Sequence, residues 1–168
     1  MRNKQRATIT PSRSNMKVTL IFPNTRRKSV LFPSIIQPPL SIAYLAAMIK
    51  DTHDVQVIDA AAENLSFTDI FNRLDAFKPS LIGITTNISI AYISCELALR
   101  IKLRMRQAKI VLGGPWATSN AEYIIEHKIA DYVVVGEGEF VFRDMVDRMA
   151  RGESLDDLEG LLLRGPAG

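Results

Sequence analysis

The chain has 168 residues, of which 47% are hydrophobic, enough for one domain that buries about 70% of its unfolded surface. Its net charge of +3 is unevenly distributed, because residues 1–50 contain nine Lys and Arg but no Asp or Glu. A basic face for nucleic acid is normally spread over folded elements, so nucleic acid is not the expected partner. Residues 1–15 are instead predicted to form a disordered basic tail, and residues 16–168 the domain.

The single cysteine, Cys95, excludes an internal disulfide and any cysteine-only zinc or iron–sulfur site within this chain. No apolar run approaches the roughly 20 residues that a membrane-spanning helix needs. Residues 1–16 also lack the hydrophobic stretch of a secretion signal. The sequence therefore predicts a cytoplasmic protein, although its Arg- and Ser-rich start is also found in organelle transit peptides.

Strand and helix patterns alternate along the chain. Apolar runs predict buried strands at residues 17–22, 55–58, 81–85, 109–112 and 131–135. Helical periodicity or start signals predict helices at residues 40–48, from 66, at 90–105, from 119 and at 140–150. Ser66 with Asp69, and Ser119 with Glu122, are typical of helix-start pairs. Residues 160–164 fit either a final edge strand or a loop.

This alternation predicts an α/β fold with a parallel sheet covered by helices on both faces. Ligands of such sheets bind beyond the carboxyl ends of the strands. Three segments place small, glycine- or hydroxyl-rich turns there: GITTNISI from Gly83, VLGGPWAT from Val111 and VVVGEGEF from Val133. Right-handed connections bring these turns to one edge of the sheet, which predicts a wide crevice formed by several loops.

The common small ligands of these sheets fit the sequence poorly. A dinucleotide site needs glycines after the first strand, where residues 23–27 read PNTRR. Without those glycines, Asp59 after the second strand is interpreted as a helix cap or loop acid. A P-loop and the acidic residues of a receiver-type phosphoacceptor site are also missing. FMN remains open, because Thr25 and Ser29 with the adjacent arginines could hold a phosphate.

No catalytic constellation is recognisable. His53 and His127 are far apart, lack a nucleophile partner and are interpreted as solvated loop or helix-end residues. Glu137 and Glu139 flank Gly138 and fit either an acid/base pair or carboxylates at a helix N-terminus, where the helix dipole favours them. The sequence therefore predicts neither a catalytic residue nor a protein ligand to a metal.

Five segments, in order and at suitable spacing, carry a resemblance to a known family. They read PPLSIAYLAAMIK (38–50), VIDAAAENLS (57–66), KPSLIGITTNIS (78–89), IVLGGPWAT (110–118) and DYVVVGEGEFVFRDMV (131–146). Together they resemble the N-terminal cobalamin-binding domain of B12-dependent radical SAM proteins, over about residues 17–165.

The resemblance implies a flavodoxin-like three-layer sandwich with strand order 2-1-3-4-5. It implies a corrinoid over the carboxyl edge of the sheet, with the nucleotide tail inserted beside the strands. The implied contact residues are Thr85, Thr86, Asn87, Gly113, Gly114, Pro115, Trp116, Gly136, Glu137, Gly138 and Glu139. Glycine allows close backbone approach, although Gly113 and Gly114 also fit a tight turn. Trp116 fits either stacking on the ligand or covering the core.

Two features of related proteins are missing from this chain. The radical SAM half with its three-cysteine motif is absent, so the chain is expected to hold no iron–sulfur cluster. It is either a fragment or the partner of a separate radical SAM protein in a methyltransferase or cyclase type of system. The Asp-x-His-x-x-Gly pattern is also absent, so cobalt is expected to receive no histidine from this domain. The alternative is a degenerate interaction or regulatory module that binds no corrinoid.

Overall fold

The computed structural model describes residues 15–24 and 38–163. All of the predicted tail except its last residue lies outside this part of the chain, as do residues 25–29, considered above for a phosphate. The elements in chain order are β1 (Lys17–Phe22), α1 (Leu40–Ile49), β2 (Asp54–Asp59), α2 (Phe67–Phe77), β3 (Leu81–Thr85), α3 (Ala91–Arg104), β4 (Lys109–Gly113), α4 (Pro115–Ser119), α5 (Ala121–Glu126), β5 (Tyr132–Val134), α6 (Glu139–Arg151) and β6 (Leu161–Leu163). None of the described helices is long and apolar enough to span a membrane.

The strands form one sheet in the order β2-β1-β3-β4-β5-β6. The first five are parallel, and β6 pairs antiparallel with β5 at the edge. This confirms the predicted α/β fold and strand order, and it assigns the ambiguous segment near residue 160 to an edge strand. The central strands β1, β3 and β4 are short, mainly apolar runs buried on both faces, which is the pattern expected for parallel sheets.

Two apolar cores lie on opposite faces of the sheet. Helices α1 and α6 cover one face, where Ile42 and Phe142 pack against Leu20 and Val111. The remaining described helices, α2 to α5, cover the other face. Their buried side chains, such as Leu97 on α3, form the second apolar core. The chain thus has three layers, and the strand order reverses between the neighbouring strands β1 and β3, where a crevice forms at the carboxyl ends of the strands.

One of the two predicted helix-start pairs is confirmed and the other is wrong. The Ser66 hydroxyl accepts a hydrogen bond from the Asp69 backbone N–H, and the Asp69 carboxylate accepts from the Ser66 N–H. Donation from the Ser66 hydroxyl lowers the pKa of Asp69 below its usual value. Ser119 instead ends α4, its hydroxyl donating to the Pro115 carbonyl, because Pro115 starts that helix earlier than predicted.

His53 is buried, so its interpretation as a solvated residue is wrong. Its ring lies 3.0 Å from an Asp147 carboxylate oxygen on α6, through Nε2. Nδ1 accepts a hydrogen bond from the backbone N–H of Met16 at 3.3 Å. This arrangement fits a neutral ring with its proton on Nε2, which ties the starts of β1 and β2 to α6. His127 is exposed at the end of α5, as predicted.

Replacing His53 should therefore destabilise the fold. We expect His53→Ala to lower the free energy of unfolding by about 1–3 kcal/mol, because Asp147 and the Met16 N–H lose their shared partner. His127→Ala is the matched control and should leave the free energy of unfolding within about 0.5 kcal/mol of wild type. Urea denaturation followed by circular dichroism measures both changes. Equal midpoints for the two variants would contradict this role of His53.

Candidate functional site

A cavity of about 260 Å³ opens at the carboxyl edge of the sheet, on the face covered by α1 and α6. Its floor is apolar and is formed by residues of four strands and two helices: Leu20, Ile42, Leu45, Ile84, Val111, Val134 and Phe142. Gly83 lies at the centre of this floor, paired with Leu20 on one side and Val111 on the other. A Cβ atom at Gly83 would lie 2.7 Å from Leu20 Cδ2, so the absence of a side chain lets the floor close.

The first turn contributes Thr85 to the cavity wall. Thr86 is fully buried, and its hydroxyl accepts from the Ala117 N–H at 2.9 Å and donates to the Gly113 carbonyl at 3.0 Å. The Asn87 side chain accepts from the backbone N–H groups of Ser89 and Ile90, just before α3 begins. Of these three predicted contact residues, only Thr85 therefore lines the cavity.

The second turn places both glycines on the cavity wall. Gly114 has φ +100°, and a Cβ atom there would lie 2.3 Å from the Thr86 carbonyl oxygen. Gly113 has no positive φ, and a Cβ atom there would have one neighbour within 4 Å, Val134 Cβ at 3.9 Å. Trp116 packs against the core under α2 to α5, on the opposite side of the sheet from the cavity. Pro115 is exposed as the first residue of α4.

The third turn lines the cavity mouth with Gly136, Glu137, Gly138 and Glu139. Gly136 has φ +80°, a conformation that side-chain-bearing residues rarely adopt. A Cβ atom at Gly138 would lie 3.0 Å from Val134 Cγ1, so the backbone passes close to the end of β5. Glu139 is the first residue of α6, as its interpretation as a helix-start carboxylate predicted.

Two threonine hydroxyls connect the three turns to one another. Thr86 joins the turn after β3 to the turn after β4 through the hydrogen bonds described above. Thr118 joins the latter to the turn after β5, because its hydroxyl accepts from the Gly136 N–H at 3.0 Å. Sequence reasoning missed Thr118; the signal was a hydroxyl residue one helical turn after Gly114. The three turns therefore form one connected edge.

Large apolar side chains are exposed at the same edge of the sheet. Leu40 and Tyr44 lie on the first turns of α1, each with 61% of its surface exposed. Phe140 on α6 is 67% exposed, while Ile88 and Tyr92 near the start of α3 are more than 80% exposed. These exposed side chains are therefore available to contact a ligand bound at this edge.

Neither histidine is near this edge. His53 precedes β2 and His127 precedes β5, so both lie toward the amino ends of the parallel strands. Within residues 15–24 and 38–163, no group of three or more His, Cys, Asp or Glu side chains could hold a metal ion.

Comparison with known proteins agrees on one family. The profile described as B12 binding domain matches residues 35–146. An uncharacterised methyltransferase of Pyrococcus horikoshii is 37% identical over 147 residues, covering 87% of this chain and 32% of that protein. The chain spans about a third of the length of the curated relatives it matches.

Two solved structures share the fold. The cobalamin-dependent S-adenosylmethionine radical enzyme OxsB, with aqua-cobalamin and S-adenosylmethionine bound, has a TM-score of 0.74 at 21% identity, covering 88% of this chain and 20% of that one. The radical S-adenosylmethionine methyltransferase TsrM from Kitasatospora setae has a TM-score of 0.77 at 19% identity, covering 92% of this chain and 29% of that one. At these identities the likeness concerns the fold.

Proposed function

This chain belongs to the B12-binding domain family, and we propose on that premise that its carboxyl-edge cavity binds cobalamin. The single observation that carries the proposal is the position of the cavity. It is lined by all three of the turns that the sequence analysis singled out. An apolar floor with a glycine at its centre suits a flat aromatic group. The proposed occupant of the cavity is the nucleotide tail of the corrinoid.

The size of the cavity supports placing the nucleotide tail inside it and the corrin ring outside. A volume of about 260 Å³ suits a benzimidazole base with part of its sugar, whereas the corrin macrocycle is much larger. The macrocycle would therefore lie over the mouth, beside exposed apolar side chains such as Tyr44 and Phe140. Bound cobalamin supplies a cobalt centre that can carry a methyl group, and the residues of this chain hold the cofactor in place.

The predicted contact residues divide into two groups in this proposal. Those on the cavity wall would contact the ligand directly: Thr85, Gly113, Gly114, Gly136, Glu137, Gly138 and Glu139. The others would position that wall, since the hydroxyl of Thr86 holds two turns together and Asn87 orders the start of α3. Cobalt would receive no histidine from this domain, because His53 and His127 lie toward the opposite edge of the sheet.

Retention of hydroxocobalamin tests the proposal. The 168-residue chain, mixed with hydroxocobalamin and desalted, should keep a visible corrinoid spectrum at about one equivalent. Gly113→Val should weaken binding by roughly ten- to a hundredfold, because a branched side chain would occupy the cavity wall. Urea denaturation of the same variant separates lost binding from lost folding, and Gly113→Ala, whose Cβ atom would meet only Val134 Cβ at 3.9 Å, serves as the smaller substitution. A colourless wild-type protein would favour an interaction or regulatory module instead.

We also propose that this domain works with a radical SAM half, in the same polypeptide or in a separate chain. The support comes from OxsB and TsrM, which are radical S-adenosylmethionine enzymes with the shared fold in a longer chain, and from curated relatives that are about three times longer than the matched region. The source genome should then encode a three-cysteine radical SAM segment in the same or an adjacent reading frame. Co-purification of that segment with the tagged domain, stronger with hydroxocobalamin present, checks the assignment.

A further inference from the structure

Within the described part of the chain, the ionisable residues that line the cavity all carry carboxylates. Among the described residues that line the cavity, the ionisable side chains are Glu137 and Glu139, and no Lys, Arg or His is present. Glu137 is exposed and Glu139 is half-buried. The third turn therefore presents two carboxylates beside an apolar cavity.

These carboxylates are free to accept hydrogen bonds. Seven other acidic side chains form ion pairs with arginine or lysine in the described part of the chain: Glu63, Asp75, Glu96, Asp131, Asp144, Glu153 and Asp157. Glu137 and Glu139 have no such pair and no side-chain hydrogen bond there. The α6 dipole favours an acid at Glu139, but Glu137 precedes the helix.

The backbone holds both carboxylates at the mouth. The Gly136 N–H is bonded to Thr118, and Gly138 lies against Val134, so the turn is fixed at both glycines. The glutamates alternate with those glycines at the point where a ligand above the cavity would meet the turn. An ionised carboxylate accepts hydrogen bonds and donates none, so the complementary ligand group is an N–H or O–H donor without negative charge.

Primary amides are such donors, and they surround the corrin ring of cobalamin. A corrinoid in which one of these amides is a free acid would bring a third carboxylate to the mouth, where like charges repel. We propose that Glu137 and Glu139 make this site selective for corrinoids with fully amidated side chains over corrinoids with free carboxylates. This inference rests on the proposed function, because it concerns the ligand of the same cavity.

The test compares two ligands on the 168-residue chain by equilibrium titration at pH 8. The first is hydroxocobalamin, and the second is its monocarboxylate derivative, with one peripheral propionamide hydrolysed. Wild type should bind hydroxocobalamin about tenfold or more tightly than the acid. The Glu137→Gln/Glu139→Gln double variant should reduce that preference to about threefold or less, whereas Glu126→Gln on the exposed end of α5 should keep it.

A second test of the same inference uses the wild-type protein alone and varies the salt concentration. Raising the salt concentration from about 0.05 to 0.5 M should reduce the ratio of the affinities for hydroxocobalamin and for the acid, because screening weakens repulsion between exposed charges. If both ligands bind wild type equally, or if the double variant keeps the full preference, the inference is wrong while the cobalamin site stands. If neither ligand binds wild type, the proposed function fails, and the inference fails with it.

Discussion

Gly114→Ala should lower the free energy of unfolding by about 2–5 kcal/mol, even without ligand. Two effects add. The φ of +100° strains any residue with a side chain, and the new Cβ atom would lie 2.3 Å from the Thr86 carbonyl oxygen. That oxygen belongs to the backbone of a buried residue, so the turn after β3 must shift as a whole.

Gly113→Ala is the matched control. The neighbouring glycine has no positive φ, and its new Cβ atom would meet Val134 Cβ at 3.9 Å, an ordinary contact. Its urea midpoint should lie close to that of wild type, because replacing a compatible glycine changes stability by only about 0.4–1 kcal/mol. If Gly114→Ala unfolds at the same midpoint as Gly113→Ala, the close approach of the two turns is wrong.

Phe142→Ala should destabilise the protein by about 3–5 kcal/mol. This ring is 2% exposed and belongs to the core between the sheet and α6. It also forms part of the cavity floor, so its removal would enlarge the cavity toward the helix. Since each kcal/mol corresponds to roughly 2–4 °C at this chain length, thermal unfolding should show a fall of about 6–20 °C.

The neighbouring Phe140 provides the control for this prediction. It lies on the same helix but is 67% exposed, with the Arg143 guanidinium 5.4 Å from its ring centre. Phe140→Ala should change the melting temperature by no more than a few degrees, because surface substitutions are usually within about 0.5 kcal/mol. Comparable losses for the two variants would mean that Phe142 is not the buried anchor of α6.

The sequence predicted the sheet well because the central strands are mainly apolar runs between clear turn signals. Lys17–Phe22 and Leu81–Thr85 agree with the predicted strands to the residue. The resemblance supplied the strand order, which local periodicity alone does not determine. The turns at the carboxyl edge were also located correctly, because the carboxyl ends of parallel strands lie at the same edge of the sheet.

The features that the sequence analysis missed are two contacts between residues distant in the sequence and one local helix start. His53 reads as a polar residue among acids, yet it is buried by its pairing with Asp147, 94 positions later. For Thr86, the sequence does not reveal that the fold brings the Ala117 N–H to its hydroxyl; its predicted contact with a ligand stays a prediction. Ser119 has the right spacing for a helix start, but Pro115 had already begun a helix. The partners of His53 and Thr86 are supplied by the tertiary structure, and no local pattern encodes them, whereas Pro115 is a local helix-start signal that the sequence analysis did not use.

The hydrogen bonds of Thr86 and Thr118 have a consequence for the time course of binding. Because they hold the three turns together through the chain's own residues, an arriving ligand meets turns that are already joined to one another. Association then needs no slow rearrangement of these turns. Related ligands should consequently arrive at similar rates, and the differences between them should lie in how long each one stays bound.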